Sequence, residues 1–187
     1  MESAHGPTSR AAHRREVHFA DDEIIVSKTN LKGIITYAND VFLRVAGYTE
    51  DEILGEPHNV IRHPDVPRCV FKLLWDTLKS GNEIFAYVLN QARNGDHYWV
   101  FAHVTPSFDL DGKPTGYHSN RRVPHADALA AVKALYAQLR QEEQRHAEPA
   151  KALDAGMQMV LGLLDKNSIT YDEFVFSLSK HTQLASV

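Results

Sequence analysis

The sequence predicts an α+β fold: a five-stranded antiparallel sheet with short helices and one longer helix over one face, plus a C-terminal helical extension. Three observations carry this. Two short β-rich runs flank a turn near residue 32. One long helix with an apolar stripe stands between residues 67 and 79. Three more strands follow it, joined by Asn-Gly and Asp-Gly turns, which are strong hairpin signals. At 187 residues, 43% apolar and 24% charged, the chain suits one globular domain with an appendage.

Residues 1–20 carry Gly, Pro, Ser, Arg and His without period and read as a flexible leader, with a helical tendency from Ala11 to His18. Ile24 to Ser27 and Gly33 to Tyr37 are the first two strands, a hairpin closed by Asn30-Leu31-Lys32-Gly33. Asn39-Asp40 caps a short helix whose apolar face is Val41, Phe42, Val45 and Ala46, and Gly47 ends it. Thr49 and Glu52 stand three apart, the spacing of a capping box, and open a second short helix that Gly55 stops.

A polar stretch with three prolines follows, from Pro57 to Pro67. It holds His58, Asn59, Arg62, His63 and Asp65 where the chain passes between two apolar segments. Burying such groups is costly unless they find partners. Either they pair with one another or something polar docks there. Pro67 then starts the long helix, with Val70, Phe71, Leu73, Leu74, Trp75 and Leu78 spaced for one buried face. The last three strands run from Ile84 to Gln91, His97 to Ser107 and Thr115 to Val123. Beyond Pro124 the pattern turns helical: Ala126 to about His146, about Ala150 to Leu164, and Tyr171 to Lys180. The boundaries are therefore 1–20, 21–124 and 125–187.

Several function classes are disfavoured. A net charge of -4 gives no case for nucleic acid. The single cysteine, Cys69, permits neither an internal disulfide nor a cysteine metal cage, which fits a cytoplasmic setting. No apolar run reaches the roughly 20 residues of a membrane span. No phosphate loop, nucleophile elbow or kinase motif occurs, so an enzyme is not expected. The stretch around Asp165 to Phe174 fails as a calcium loop, because aligning Glu173 to the last ligand puts Gly162 and Leu164 at the first two.

The element order, with Asn39-Asp40, Gly47-Tyr48-Thr49, Glu52-Ile53-Leu54-Gly55 and Asn94 to Val100, resembles a PAS sensor domain over residues 20–124. Ile35 to Asp40, Pro57-His58-Asn59, Arg62-His63-Pro64-Asp65 and Gly95 to Val100 resemble the FAD-binding PAS domains of aerotaxis receptors. That resemblance implies a flavin between the long helix and the inner sheet face. It implies contacts from Asn39, Arg62, His63, Asp65 and Asn90, with Ile84 and Val100 at the wall. A guanidinium at Arg62 suits a phosphate or ring carbonyl. His63 and Asp65 suit mutual orientation or ribose hydroxyls. Asn90 offers a donor and an acceptor to an isoalloxazine edge.

Alternation splits the strand from His97 into Tyr98, Val100, Ala102 and Val104, which the resemblance turns toward the ligand, and Trp99, Phe101, His103 and Thr105 on the outer face. So aromatic an outer face needs a cover. Leu129, Val132, Leu135, Tyr136 and Leu139 of the extension supply one, from the same chain or a partner subunit.

The sequence departs from the resemblance at Ile84, at the bulky Phe85-Ala86-Tyr87, and at Val100, where light-sensing relatives carry a second asparagine. The reactive cysteine of that subclass has no counterpart before residue 67. The expected function is a redox or oxygen sensor signalling through helical repacking, as a homodimer, to a histidine kinase, chemotaxis protein or receptor in trans. Two alternatives stay open: a cofactor-free interaction adaptor, and a haem-based gas sensor using His58 or His63. Equally open is whether Arg62, His63 and Asp65 only stitch the turn together, and whether Asn39 is only a helix cap.

Overall fold

The computed structural model describes residues 14–178. Five strands form one antiparallel sheet: β1 (Ile25–Asn30), β2 (Ile35–Ala38), β3 (Ile84–Gln91), β4 (His97–Phe108) and β5 (Pro114–Arg122), in the spatial order β2-β1-β5-β4-β3. Between β2 and β3 come α1 (Asp40–Ala46), α2 (Glu50–Ile53), a single 3-10 turn (His58–Ile61) and α3 (Arg68–Lys79). The extension forms α4 (Ala126–Gln144), α5 (Pro149–Asn167) and α6 (Tyr171–Ser177). The sequence-based reading of α6 to Lys180 extends past the described residues.

Local chemistry sets these boundaries. The Asn39 side chain accepts the Phe42 N–H at 3.0 Å and so caps α1. Gly47 closes α1 at φ 74°, a left-handed conformation that favours glycine. Thr49 and Glu52 form the capping box of α2.

The sheet separates two cores. On the inner face, Ile25, Ile35, Ala86, Tyr98, Val100 and Ala102 pack with Phe42, Ile53 and Ile61. On the outer face, Tyr87, Leu89 and Trp99 pack with Val132, Tyr136 and Leu139 of α4 and with Val175 of α6. The chain thus covers its own aromatic outer face. Tyr136 donates its hydroxyl to the Tyr87 carbonyl at 2.5 Å, and Phe176 lies 4.8 Å from the Phe85 ring. Helix α5 packs on α3 and α4.

Two local expectations are corrected. Residues 14–18 are not helical. They run extended beside β4, because His97 donates to the Arg15 carbonyl at 2.9 Å and accepts from the Val17 N–H at 2.7 Å. Those bonds take the main-chain groups a helix would use. Residues 11–13 of that helical reading lie outside the described residues. The stripe on α3 also does not share one buried face: Val70 and Leu73 join the core with the extension, while Phe71, Leu74 and Trp75 are half-buried and line a cavity.

Candidate functional site

A cavity of about 590 Å³ lies between α3 and the inner sheet face. This is within the roughly 300–1,000 Å³ of small-molecule sites. One wall is Phe71, Leu74, Trp75 and Leu78 of α3; the other is Val88, Ala102 and Val104 of the sheet. These two walls are largely apolar. Trp75 and Tyr117 meet edge to face at 5.4 Å and span from α3 to β5.

Polar groups also line this cavity. Asn90 is 3% exposed, lines the cavity, and its Nδ2 has no hydrogen-bond partner. So do the hydroxyls of Thr29 and Ser119. Arg121 is 4% exposed. One of its Nη atoms donates to Ser27 Oγ at 2.8 Å and to His58 Nε2 at 2.5 Å, while the other has no partner. Burial and the Arg121 charge push the His58 imidazole down to about 3, so it is neutral. Its Nε2 therefore accepts from Arg121 and its proton sits on Nδ1. Burial lowers Arg121 itself to about 10, leaving it cationic at neutral pH. Buried polar groups are nearly always paired, so these four groups around one cavity are free to bond an ordered water or a polar ligand.

The segment from Pro57 to Pro67 contributes His58, Asn59, Ile61 and Arg62 to the lining. Arg62 pairs through its backbone with Asn90, closing part of the free edge of β3, and its guanidinium stacks 4.0 Å over Phe71. Of the seven residues named from the sequence, Arg62 and Asn90 line the cavity. The other five predicted residues do not line it. Asn39 Oδ1 accepts from Val26 N at 2.9 Å as well as from Phe42, and its Nδ2 donates to the Ile24 carbonyl at 2.8 Å, so its amide is spent on the backbone. His63 is buried, accepts the Asp65 N–H at Nδ1 and faces His97 at 5.9 Å. Asp65 pairs with Arg140 of α4 at 2.6 Å. Ile84 and Val100 are fully packed in the inner core.

Sequence reasoning missed Arg121, Ser27 and Ser119. A signal was present: Tyr117, Ser119 and Arg121 alternate, which puts all three on one face of β5. Among the described residues no group of three or more His, Cys, Asp or Glu could hold a metal ion, and no helix is long and apolar enough to cross a membrane.

The cavity thus lies between one long helix and the inner face of a five-stranded antiparallel sheet. Residues 35–121 match the PAS fold. The chain is 46% identical over 117 residues to the aerotaxis receptor of Escherichia coli (strain K12), covering 63% of this chain and 23% of that protein. It is 29% identical over 99 residues to the nitrogen fixation regulatory protein of Klebsiella pneumoniae, covering 53% of this chain and 20% of that protein. The chain therefore spans less than a quarter of the length of these relatives. Among solved structures, a light-oxygen-voltage domain studied with a flavin analogue superposes at TM-score 0.52, with 21% identity over 66% of this chain and 87% of that one. The light state of the blue-light photoreceptor Aureochrome1 LOV superposes at 0.50, with 22% identity over 65% of this chain and 93% of that one. At such identities these two speak for the fold alone.

Proposed function

We propose that this chain is a flavin-based redox or oxygen sensor of the aerotaxis type, with FAD as its cofactor. The observation that carries this reading is the buried Asn90 amide, whose Nδ2 has no hydrogen-bond partner and which lines the cavity between α3 and the sheet. A bound flavin would supply a redox centre whose ring nitrogens and carbonyls change charge and proton count with oxidation state.

The residues present fit such a group. Phe71, Leu74 and Trp75 would hold a ring face against Val88 and Ala102. Asn90 would donate from Nδ2 to an acceptor on the ring edge. Arg121, already cationic and short of a partner, would stabilise negative charge in the cavity. A change of charge against Asn90 or Arg121 acts on β3 and β5, and β3 carries the Tyr87 carbonyl to which α4 is bonded. Output is then a shift in the packing of α4–α6. The same reading makes the protein a cytoplasmic homodimer that signals to a histidine kinase, chemotaxis protein or receptor in trans. What supports this is the relative of receptor type and the helical extension on the outer face. The absorption spectrum of the purified protein tests the reading. Flavin bands are expected, and a colourless protein that takes up no added flavin contradicts it.

A further inference from the structure

The extension covers the outer sheet face and also holds the long helix at its N-terminus. The first N–H groups of a helix have no partner within it and need a cap. Pro67, the N-cap of α3, offers no side-chain bond. The cap comes instead from α4: the buried Glu143 accepts the Arg68 and Cys69 N–H groups at 3.0 and 2.8 Å. One turn earlier on α4, Arg140 pairs with Asp65 at 2.6 Å. Helix α5 closes the junction from its other side. A Cβ at Gly156 would stand 3.0 Å from both Cys69 Sγ and Glu143 Oε1, so only glycine leaves this contact unstrained.

The turn that Glu143 caps is also part of the cavity wall. Arg68 and Phe71 line the cavity, and the Phe71 ring lies 4.0 Å under the Arg62 guanidinium. Leu153 of α5 lines the same cavity from the extension. The extension therefore meets the ligand space twice, directly through Leu153 and indirectly through the capped turn. Both contacts are separate from the Tyr136 bond to the Tyr87 carbonyl, which ties α4 to the outer face of the sheet. A carboxylate suits this place, because its bonds to N–H groups are charge-assisted and the helix dipole favours a negative charge there. With the extension undocked, the N-cap of α3 has no side chain to replace it.

We propose that Glu143 is a latch between the C-terminal extension and the ligand cavity. The docked extension caps α3 and sets the turn from Arg68 to Phe71 as cavity wall, so ligand binding and docking stabilise one another. This rests on the flavin reading above for its ligand and deepens it by naming how that site is regulated. By linkage, the factor by which docking tightens the ligand is the factor by which the ligand favours docking. Glu143 does not line the cavity and acts through the α3 main chain, so it is a positioning residue.

Amide hydrogen exchange of the full chain, without ligand and at saturating FAD, tests this. Glu143→Gln keeps the shape but removes the charge and one of the two accepting oxygens. Gly156→Ala leaves Glu143 in place and presses on it from α5. Glu142→Gln is the control, because its carboxylate pairs with Arg145 and His146 beside it. Without ligand, Glu143→Gln and Gly156→Ala should each speed exchange from Arg68 to Phe71 and in α4 and α5 together. The expected factor is roughly 5- to 30-fold, the scale of a lost helix cap. Equal acceleration in β1 and β5 would make Glu143 an ordinary stabilising residue and overturn the proposal. FAD should slow exchange in α4 and α5 at least about fivefold in wild type and Glu142→Gln. That slowing should be lost in Glu143→Gln and Gly156→Ala. Equal slowing in all four proteins, or none in a wild type that binds FAD, overturns the latch and leaves the flavin reading standing. If wild type binds no FAD, the flavin reading falls and the ligand-free comparison decides the latch. Joint acceleration of the α3 turn and the extension upholds it, and acceleration of either alone refutes it.

Discussion

Replacing Asn90 by leucine separates a ligand-binding amide from a structural one by the sign of its effect. The main chain at Asn90 pairs with Tyr98 of β4 and with Arg62, and those bonds survive a side-chain change. The side chain itself is 3% exposed and its Nδ2 bonds to nothing. A buried donor without a partner costs about 1–3 kcal/mol. Leucine has nearly the same shape, so Asn90→Leu should stabilise the flavin-free protein by up to about 1–3 kcal/mol. At about 2–4 °C per kcal/mol for a chain of this size, the thermal midpoint should rise by several degrees. Flavin binding should move the other way. Losing one hydrogen bond to the ligand and stranding its polar edge costs a similar ~1–3 kcal/mol, or roughly 5- to 150-fold in Kd. The assay is a thermal melt of the flavin-free protein beside a flavin titration. A destabilised Asn90→Leu protein with unchanged flavin affinity would refute the reasoning, because it would make Asn90 a packing residue.

Two other predictions follow from the same geometry. The His58 imidazole is held neutral down to about pH 3 in the fold, against 6.5 when unfolded, so the unfolded state binds the extra proton between these values. This contribution to stability is complete above pH 6.5 and is lost at about 1.4 kcal/mol per pH unit as pH falls. Urea melts of His58→Gln against pH should therefore show a shallower acid slope than wild type, and an identical slope would place the acid sensitivity elsewhere. In α5, a Cβ at Gly156 would sit 3.0 Å from both Cys69 Sγ and Glu143 Oε1, whereas one at Gly162 meets nothing within 4 Å. Thermal melts should show Gly162→Ala more stable by about 0.5–1 kcal/mol and Gly156→Ala less stable than wild type. If both are stabilised, α5 does not pack against α3 and Glu143 as described.

Much of the fold was legible because its signals are local. Asn39, the Thr49–Glu52 pair and the Asn94-Gly95 turn each act within four residues, so sequence spacing is spatial geometry there. The five strands and the covering of Trp99 by α4 followed from period-two alternation and one amphipathic stripe. The site was legible only in part. Asn90 stood out as an amide among apolar strand neighbours, and Arg62 as a cation in a Pro-rich turn. His63 and Asp65, adjacent to Arg62 in sequence, are turned by the segment toward His97 and Arg140 instead of the cavity. Arg121 was passed over because an arginine at a strand end reads as solvated. Its burial depends on β5 lying in the middle of the sheet, between β1 and β4, a long-range fact that spacing does not carry. Ile84 and Val100 share the cavity-facing side of their strands but sit behind its lining, which comes from Val88, Ala102 and Val104.

On the proposed function, the cavity between α3 and the sheet holds a redox-active flavin. An anaerobic reductive titration of the purified protein, followed by absorption and ended by admitting air, tests it most directly. Paired flavin bands in the near-ultraviolet and blue are expected to bleach on reduction and return with oxygen. A protein that shows no such bands, even after incubation with FAD, would contradict it.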